Sequence, residues 1–278
     1  RHTLANRFCF NAYLEESLER ATAVVAASEA TRRLLLETFP WVAPRLQMIP
    51  NGVDPFFSPP LEDDDGTSTR AQLSSGRPYL LHLGTLEPRK GVITLIDAWE
   101  RLHRGHGVRR GASEQLPDLV LAGSPGWSMA PLLQRIASSP LADHIHRPGY
   151  VSREQARDLL RHAEVFVLAS EAEGYGLPLA EALSCGTPAV ASDIPPLREV
   201  GGDAALYAPA GDAAALAETI AAALEPRQAM SLRCRALVRA RSLRWEPTIA
   251  AWQELLAGIA GIEPIVQAPA GARSDQLS

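Results

Sequence analysis

Short apolar runs, each followed by an amphipathic stretch, recur along most of this chain. No other feature restricts its fold as tightly. Tyr79-Leu80-Leu81-His82-Leu83 closes at Gly84, and Leu119-Val120-Leu121-Ala122 closes at Gly123. Val165–Ala169, Pro188–Ala191 and Ala204–Tyr207 form three more such runs. Their length and composition are those of buried strands. After Gly91, Val92, Leu95, Ile96, Trp99 and Leu102 fall on one helical face, and Ser152-Arg153-Glu154-Gln155 has the form of a capping box. Further helices are expected over Asp212–Leu224, Gln228–Arg241 and Pro247–Ile259. Strands that alternate with helices pair in parallel, so the fold class is α/β.

The region ahead of this pattern is short. Leu14–Arg20 and Glu29–Phe39 read as helices, Thr22–Ala27 and Leu46–Ile49 as strands. A unit this small lacks the apolar interior to stand alone, and it reads as the tail end of another domain. The turn Pro50-Asn51-Gly52-Val53-Asp54-Pro55 hands over to the main unit. Ser58–Pro78, with its acidic run Glu62-Asp63-Asp64-Asp65, reads as a loop or linker with a solvated acidic surface. Gly105–Pro117 reads as a polar loop with Arg109 and Arg110 in solvent, and Pro264–Ser278 as a disordered tail.

The 278 residues suit one large domain or fewer than two average ones. A net charge of −5, with no Lys/Arg block, gives no footprint for nucleic acid. Cys9, Cys185 and Cys234 form no CxxC and no ligand cluster, which suits a reducing compartment. No apolar run reaches the roughly 18 residues of a membrane span. The chain opens on Arg1 in mid-pattern, which reads as a fragment.

Two loops carry candidate chemistry, and each follows a strand and precedes a helix. Glu173-Gly174-Tyr175-Gly176-Leu177-Pro178-Leu179-Ala180-Glu181 combines glycines, a proline suited to a first helical turn, and two carboxylates. Free N–H groups at the helix start make an anion site. Gly84-Thr85-Leu86-Glu87-Pro88-Arg89-Lys90-Gly91 places two cations where they can meet a diphosphate. Either loop alone is equally a tight turn with solvated charges. Together they lie at the carboxyl ends of parallel strands, where open α/β sheets bind ligands. Cations in one loop and carboxylates in the other suit a nucleotide diphosphate sugar.

Competing signatures are absent: no GxGxxG follows a strand, and neither GxxxxGK[ST] nor GxSxG occurs. His144 and His146 are two residues apart and lack a ligand cluster, so no metal site is expected. His82, within an apolar strand, reads as a hydrogen-bonded core histidine.

Glu173–Glu181 resembles the E-x7-E motif of retaining glycosyltransferases of family 4, which have the GT-B fold, and the likeness continues through Ala182–Asp193. Gly84–Gly91 resembles the family's G-x-x-x-P-x-K-G loop, Ile49–Asp54 its hinge, and Trp245–Leu256 the helix that crosses back to the first domain. The resemblance implies a Rossmann-like parallel sheet flanked by helices, the GT-B C-terminal half, with a truncated remnant of the N-terminal Rossmann-like domain. The implied boundaries are 1–50 for the remnant, 51–77 for hinge and linker, 78–242 for the donor-binding domain, 243–261 for the crossing helix and 262–278 for the tail.

Roles follow by resemblance only. Glu173 would be catalytic, at the sugar and diphosphate end of the donor. Arg89, Lys90, Gly174, Tyr175, Gly176 and Leu177 would hold the donor phosphates, and Glu181 the ribose hydroxyls. Gly123, Tyr150 and Val151 would line the base pocket, largely through backbone groups. A plain turn glycine and a core aromatic remain the other reading of Gly123 and Tyr150. The family often has arginine where this chain has Thr85, and Arg89 would supply that charge. The implied reaction transfers a hexose, mannose among the candidates, from a nucleotide diphosphate sugar to a glycan or lipid-linked acceptor in cell-envelope polysaccharide synthesis. It would use no metal or other cofactor. The implied place is cytoplasmic, with peripheral association at the inner face of the membrane as an option. Two other readings stay open: a nucleotide-sugar-binding module without transfer, and an epimerase or hydrolase on the same fold.

Overall fold

The computed structural model describes residues 13–61, 63–74, 76–104 and 116–261. Its centre is a six-stranded sheet in the order β5-β4-β3-β6-β7-β8, parallel throughout. The strands are β3 (Tyr79–Leu83), β4 (Asp118–Ala122), β5 (Ile145–Gly149), β6 (Val165–Leu168), β7 (Ala189–Ser192) and β8 (Ala205–Ala208). The chain builds outward from β3 to β5, returns to lay β6 on the other side of β3, and continues outward to β8. That reversal creates a switch point between β3 and β6, where the loops leaving adjacent strands open a crevice. The expected α/β class, a parallel sheet flanked by helices, is the one that forms.

Adjacent residues of a strand point to opposite faces, and both faces are covered. Tyr79, Leu81, Phe166 and Leu168 pack with α6 (Arg153–His162) and α7 (Leu177–Ser184). Leu80, Leu119, Val165 and Val167 pack with α4 (Val92–Arg104), α5 (Met129–Ala137) and α9 (Ala213–Leu224) on the other face. This double burial is why the strands are apolar at successive positions, and each enclosed leucine contributes roughly 1.5–3 kcal/mol. The buried aromatics satisfy their polar atoms. Trp99 Nε1 donates to Pro117 O at 2.8 Å, and Tyr79 OH to Leu159 O at 2.9 Å. α8 (Pro195–Gly201) packs on α7, and α10 (Pro226–Ala240) on α7 and α9.

The N-terminal segment runs α1 (residues 13–20), β1 (Val24–Ala26), α2 (Glu29–Thr38) and β2 (Leu46–Met48). β1 and β2 form a two-stranded parallel sheet over a small cluster of Leu18, Val24 and Val42. So small a sheet is marginal by itself. It is braced by α2 on α8, and by α11 (Trp245–Ala260), whose Thr248 Oγ1 donates to Pro50 O at 2.8 Å.

Several expectations change. Ser58–Pro78 is not loop throughout, because Thr67–Leu73 forms a short helix, α3, that packs against α6. Asp65 is not merely solvated: its carboxylate accepts the Thr67 N–H at 2.8 Å as α3 starts. β5 and α5 are additional elements. β5 is an edge strand with only Ile145 buried and a proline at 148, so it carries no buried-strand pattern. His144 and His146 share a partner: Nδ1 of the first and Nε2 of the second lie 3.1 and 2.7 Å from the buried Asp118 carboxylate, which also pairs with Arg77. The expected tail, and Arg109 and Arg110, lie outside the described residues.

Candidate active site

The two singled-out loops leave β3 and β6, one on each side of the switch point, and there they meet. After β3, Pro88–Lys90 form a 3-10 turn closed by Gly91 at φ 62°. A Cβ on Gly91 would lie 2.0 Å from Ala169 O, so glycine is what lets this turn sit against the end of β6. The Glu171 N–H donates to Arg89 O at 2.8 Å and ties the loops together. After β6, Gly176 takes φ 104°, and a Cβ there would meet Leu197 at 2.5 Å. α7 then starts at Leu177, with Pro178 second. Pro178 has no N–H and the Leu179 N–H donates to Gly176 O at 3.0 Å, which leaves Gly176 and Leu177 as the N–H groups without an intrahelical acceptor, at the positive end of the dipole and the carboxyl end of β6.

Lys90 and Arg89 converge on Glu173. Lys90 Nζ lies 2.6 Å from Glu173 Oε1, and Ser170 Oγ donates to the same oxygen at 2.7 Å. Arg89 Nη1 lies 3.3 Å from Glu173 Oε2 and donates to Ala172 O at 2.7 Å, while Nη2 bonds Glu87 Oε1 at 2.6 Å. Burial alone would push the Glu173 carboxyl up, but the Lys90 hydrogen bond and charge, with Ser170 and Arg89, hold it below the ordinary glutamate value. Beneath this pair, His82 is fully enclosed and pushed down to about 4 by burial and by the Lys90 charge, so it is neutral at pH 7. As expected, His82 is a core histidine; the Val167 backbone lies beside its ring, and no other hydrogen-bond partner reaches it among the described residues.

Glu181 is the opposite case. It sits in the second turn of α7, partly buried, and its carboxylate makes no hydrogen bond or ion pair among the described residues. Burial raises its carboxyl to about 7, with Arg153 offsetting a part. Its carboxyl is thus half-buried and close to neutrality, without a cation of its own.

The remaining candidates divide. Gly174 is exposed, and Leu177 is 39% exposed at the helix start. The Tyr175 ring is buried and its hydroxyl donates to Asn51 O at 2.7 Å, so only its backbone is left to meet a phosphate. Gly123 ends β4 and donates its N–H to Gly149 O at 2.8 Å. Tyr150 is 79% exposed, which overturns the core-aromatic reading and leaves a ring open for stacking. Val151 packs against the core beneath it. Sequence reasoning missed Ser170, the third partner of Glu173, whose only signal is its place just past a strand that feeds a loop. It also missed Ser28 and Thr31, which reach Gly174 from α2.

The family profile described as Glycosyl transferases group 1 matches residues 65–239, more than half of the chain. Among curated relatives, the O-antigen chain mannosyltransferase B of Escherichia coli is 30% identical over 234 residues, 84% of this chain and 60% of its own length. The D-inositol 3-phosphate glycosyltransferase of Kineococcus radiotolerans is 28% identical, over 87% of this chain and 58% of its own. This chain thus spans about three fifths of these relatives. A solved sucrose-phosphate synthase from Thermosynechococcus elongatus superposes with a TM-score of 0.71 at 26% identity, covering 88% of this chain and 60% of that one. The HepE protein of Anabaena, solved with UDP and glucose, shares the fold at 20% identity, with a TM-score of 0.74 over 91% of this chain and 67% of its own. A profile match across the sheet, both switch-point loops and α7 places the chain in a known group: it belongs to the group 1 glycosyl transferases.

Proposed function

We propose that this chain carries the donor-binding part of a retaining, family 4 hexosyltransferase of the E-x7-E type, transferring a sugar from a nucleotide diphosphate sugar to an acceptor hydroxyl. The single observation that carries this reading is the meeting of Lys90 and Arg89 with Glu173 at the switch point, beside the start of α7. A diphosphate is the group best able to take over cations now neutralised by a carboxylate. It brings more negative charge, and it adds acceptors for the N–H groups at residues 174–177. Glu173, released in part from Lys90, is then free to accept hydroxyls of the sugar.

The energetic demand of transfer is charge growing on the departing diphosphate. Lys90, Arg89 and the helix dipole of α7 are fixed before reaction, which is electrostatic preorganisation, and so the step needs no metal or cofactor. Retention would come from attack on the face the diphosphate leaves, with a donor phosphate oxygen taking the acceptor proton. Glu181 would accept the ribose hydroxyls. Tyr150 would stack on the base, with Gly123 and Val151 framing the pocket. The O-antigen chain mannosyltransferase supports mannose as the sugar, and the proposed partner is a cell-envelope glycan or lipid-linked acceptor. An inner-membrane-face location in the cytoplasm fits that acceptor, although no helix among the described residues is long and apolar enough to cross a membrane.

A second reading is a donor-binding module that does not transfer by itself. Calorimetric titration of the chain with UDP and GDP tests both. Binding of either, lost in Lys90→Ala, supports the donor site, and no binding of either contradicts it. Transfer of labelled sugar to an acceptor then separates enzyme from module.

A further inference from the structure

The donor loop is gripped by a segment that lies almost 150 residues upstream. The Gly174 carbonyl, next to Glu173, accepts from Ser28 Oγ at 2.7 Å and from Thr31 Oγ1 at 3.1 Å. Ser28 is buried, and the same Oγ caps α2 by accepting the Thr31 N–H at 3.1 Å. The start of α2 is held a second time. Glu199, in α8, accepts the Glu29 and Ala30 N–H groups, one on each carboxylate oxygen, both at 2.7 Å. These donors have no acceptor within their own helix and sit at its positive end, so a carboxylate there makes two charge-assisted bonds. Glu199 is anchored in turn, because the Arg239 side chain donates to the backbone carbonyls of Glu199 and Val200.

We propose that Glu199 is a positioning residue for the donor loop. By fixing the first turn of α2 it sets Ser28 and Thr31 on the Gly174 carbonyl, and so fixes the backbone that carries Glu173 and the N–H groups at 174–177. A carboxylate is required because both of its oxygens must accept. Glutamine offers one acceptor, and its NH2 opposes the second donor. The importance of the loop for a donor rests on the function proposed above, whereas the mechanical coupling does not.

Hydrogen exchange by mass spectrometry on the full chain, with parallel titrations by UDP and GDP, tests this. In Glu199→Gln, exchange at residues 29–31 should rise about tenfold or more, and at 174–177 about threefold or more, without ligand and with β3 and β7 unchanged. The nucleotide that binds should do so about three- to tenfold more weakly. Glu199→Asp, which keeps the charge, should restore part of both effects. Ser28→Ala should loosen 174–177 while Glu199 still protects 29–30, and it carries the test if Glu199→Gln does not fold. Loosening confined to 29–31 in Glu199→Gln would show a mere helix cap and overturn the proposal, as would no change at either place. If the wild-type chain binds neither nucleotide but the exchange coupling appears, the donor reading falls and the positioning role stands. Unaltered nucleotide binding without coupling gives the reverse result.

Discussion

Glu173 and Glu181 stand at the two ends of one nine-residue stretch, and their surroundings are opposite. Glu173 lies in a loop, enclosed by Lys90, Arg89 and Ser170, and is held ionised below the ordinary glutamate range. Glu181 lies in a helix, its carboxylate without a partner among the described residues, and burial raises it to about 7. Both are removed from water, so burial does not distinguish them; what differs is the supply of cations. In the proposed donor site, the first carboxylate is a counter-ion that the diphosphate would displace or share. The second would be an acceptor in that site, its desolvation cost already met by the fold.

The largest expected effect comes from removing the cation that separates the two cases. Lys90→Met leaves Glu173 enclosed with a weaker counter-charge, and should destabilise the chain by about 3 kcal/mol in denaturant melts. The loss is no larger because Arg89 and Ser170 still hold the carboxylate. Lys90→Met combined with Glu173→Gln should recover most of that loss. If it does not, the pair is not the ion pair described.

Next in size is Glu173→Gln. In a form of the protein that transfers sugar, kcat should fall about a hundredfold, or about 2.7 kcal/mol, with a smaller change in donor KM. A KM effect with unchanged kcat would make Glu173 a uniform binding contact and erase the functional difference between the two carboxylates.

Glu181→Gln should act in two directions at once. The folded carboxyl has its pKa raised above the unfolded value, so the wild-type chain loses stability as pH rises from about 4.5 to about 7 and loses no more beyond. The glutamine variant lacks that loss. Allowing for partial solvent screening, it should be about 2 kcal/mol more stable than wild type above pH 7 and equal to it near pH 4. It should nonetheless bind nucleoside diphosphate more weakly. Thermal melts across pH, with calorimetry, check both signs. The smallest effect is at Tyr150→Ala: about 1 kcal/mol in nucleotide affinity, through lost stacking, with melting unchanged because the ring is exposed.

How much of this was legible in the sequence follows from what each residue packs against. β3, β4, β6, β7 and β8 were readable because both of their faces are covered, so Leu80 and Leu81 must both be apolar. β5, at the sheet edge with a histidine, an arginine and a proline, had no such signature, and neither did the seven-residue α3 rich in serine and threonine. That the loops at 84–91 and 169–176 meet was foreseeable, because both follow parallel strands. That Lys90 chooses Glu173 over Glu181 was not, since the choice depends on the 3-10 turn that seats Gly91 on Ala169. The grip of Glu199 on Glu29 spans 170 residues, and local pattern has no reach over that distance.

The contrast between the two carboxylates is open to direct measurement by carbon NMR of the chain labelled at glutamate side-chain carboxyls, titrated with acid before and after addition of UDP or GDP. Glu173→Gln and Glu181→Gln assign the two resonances. The account predicts that, without nucleotide, Glu181 titrates near 7 while Glu173 stays ionised below the ordinary range. It also predicts that the nucleotide which binds shifts both resonances, with Glu173 moving up as its cations turn to the diphosphate. Two carboxyls that both titrate near the ordinary value of about 4.3 and ignore both nucleotides would contradict it.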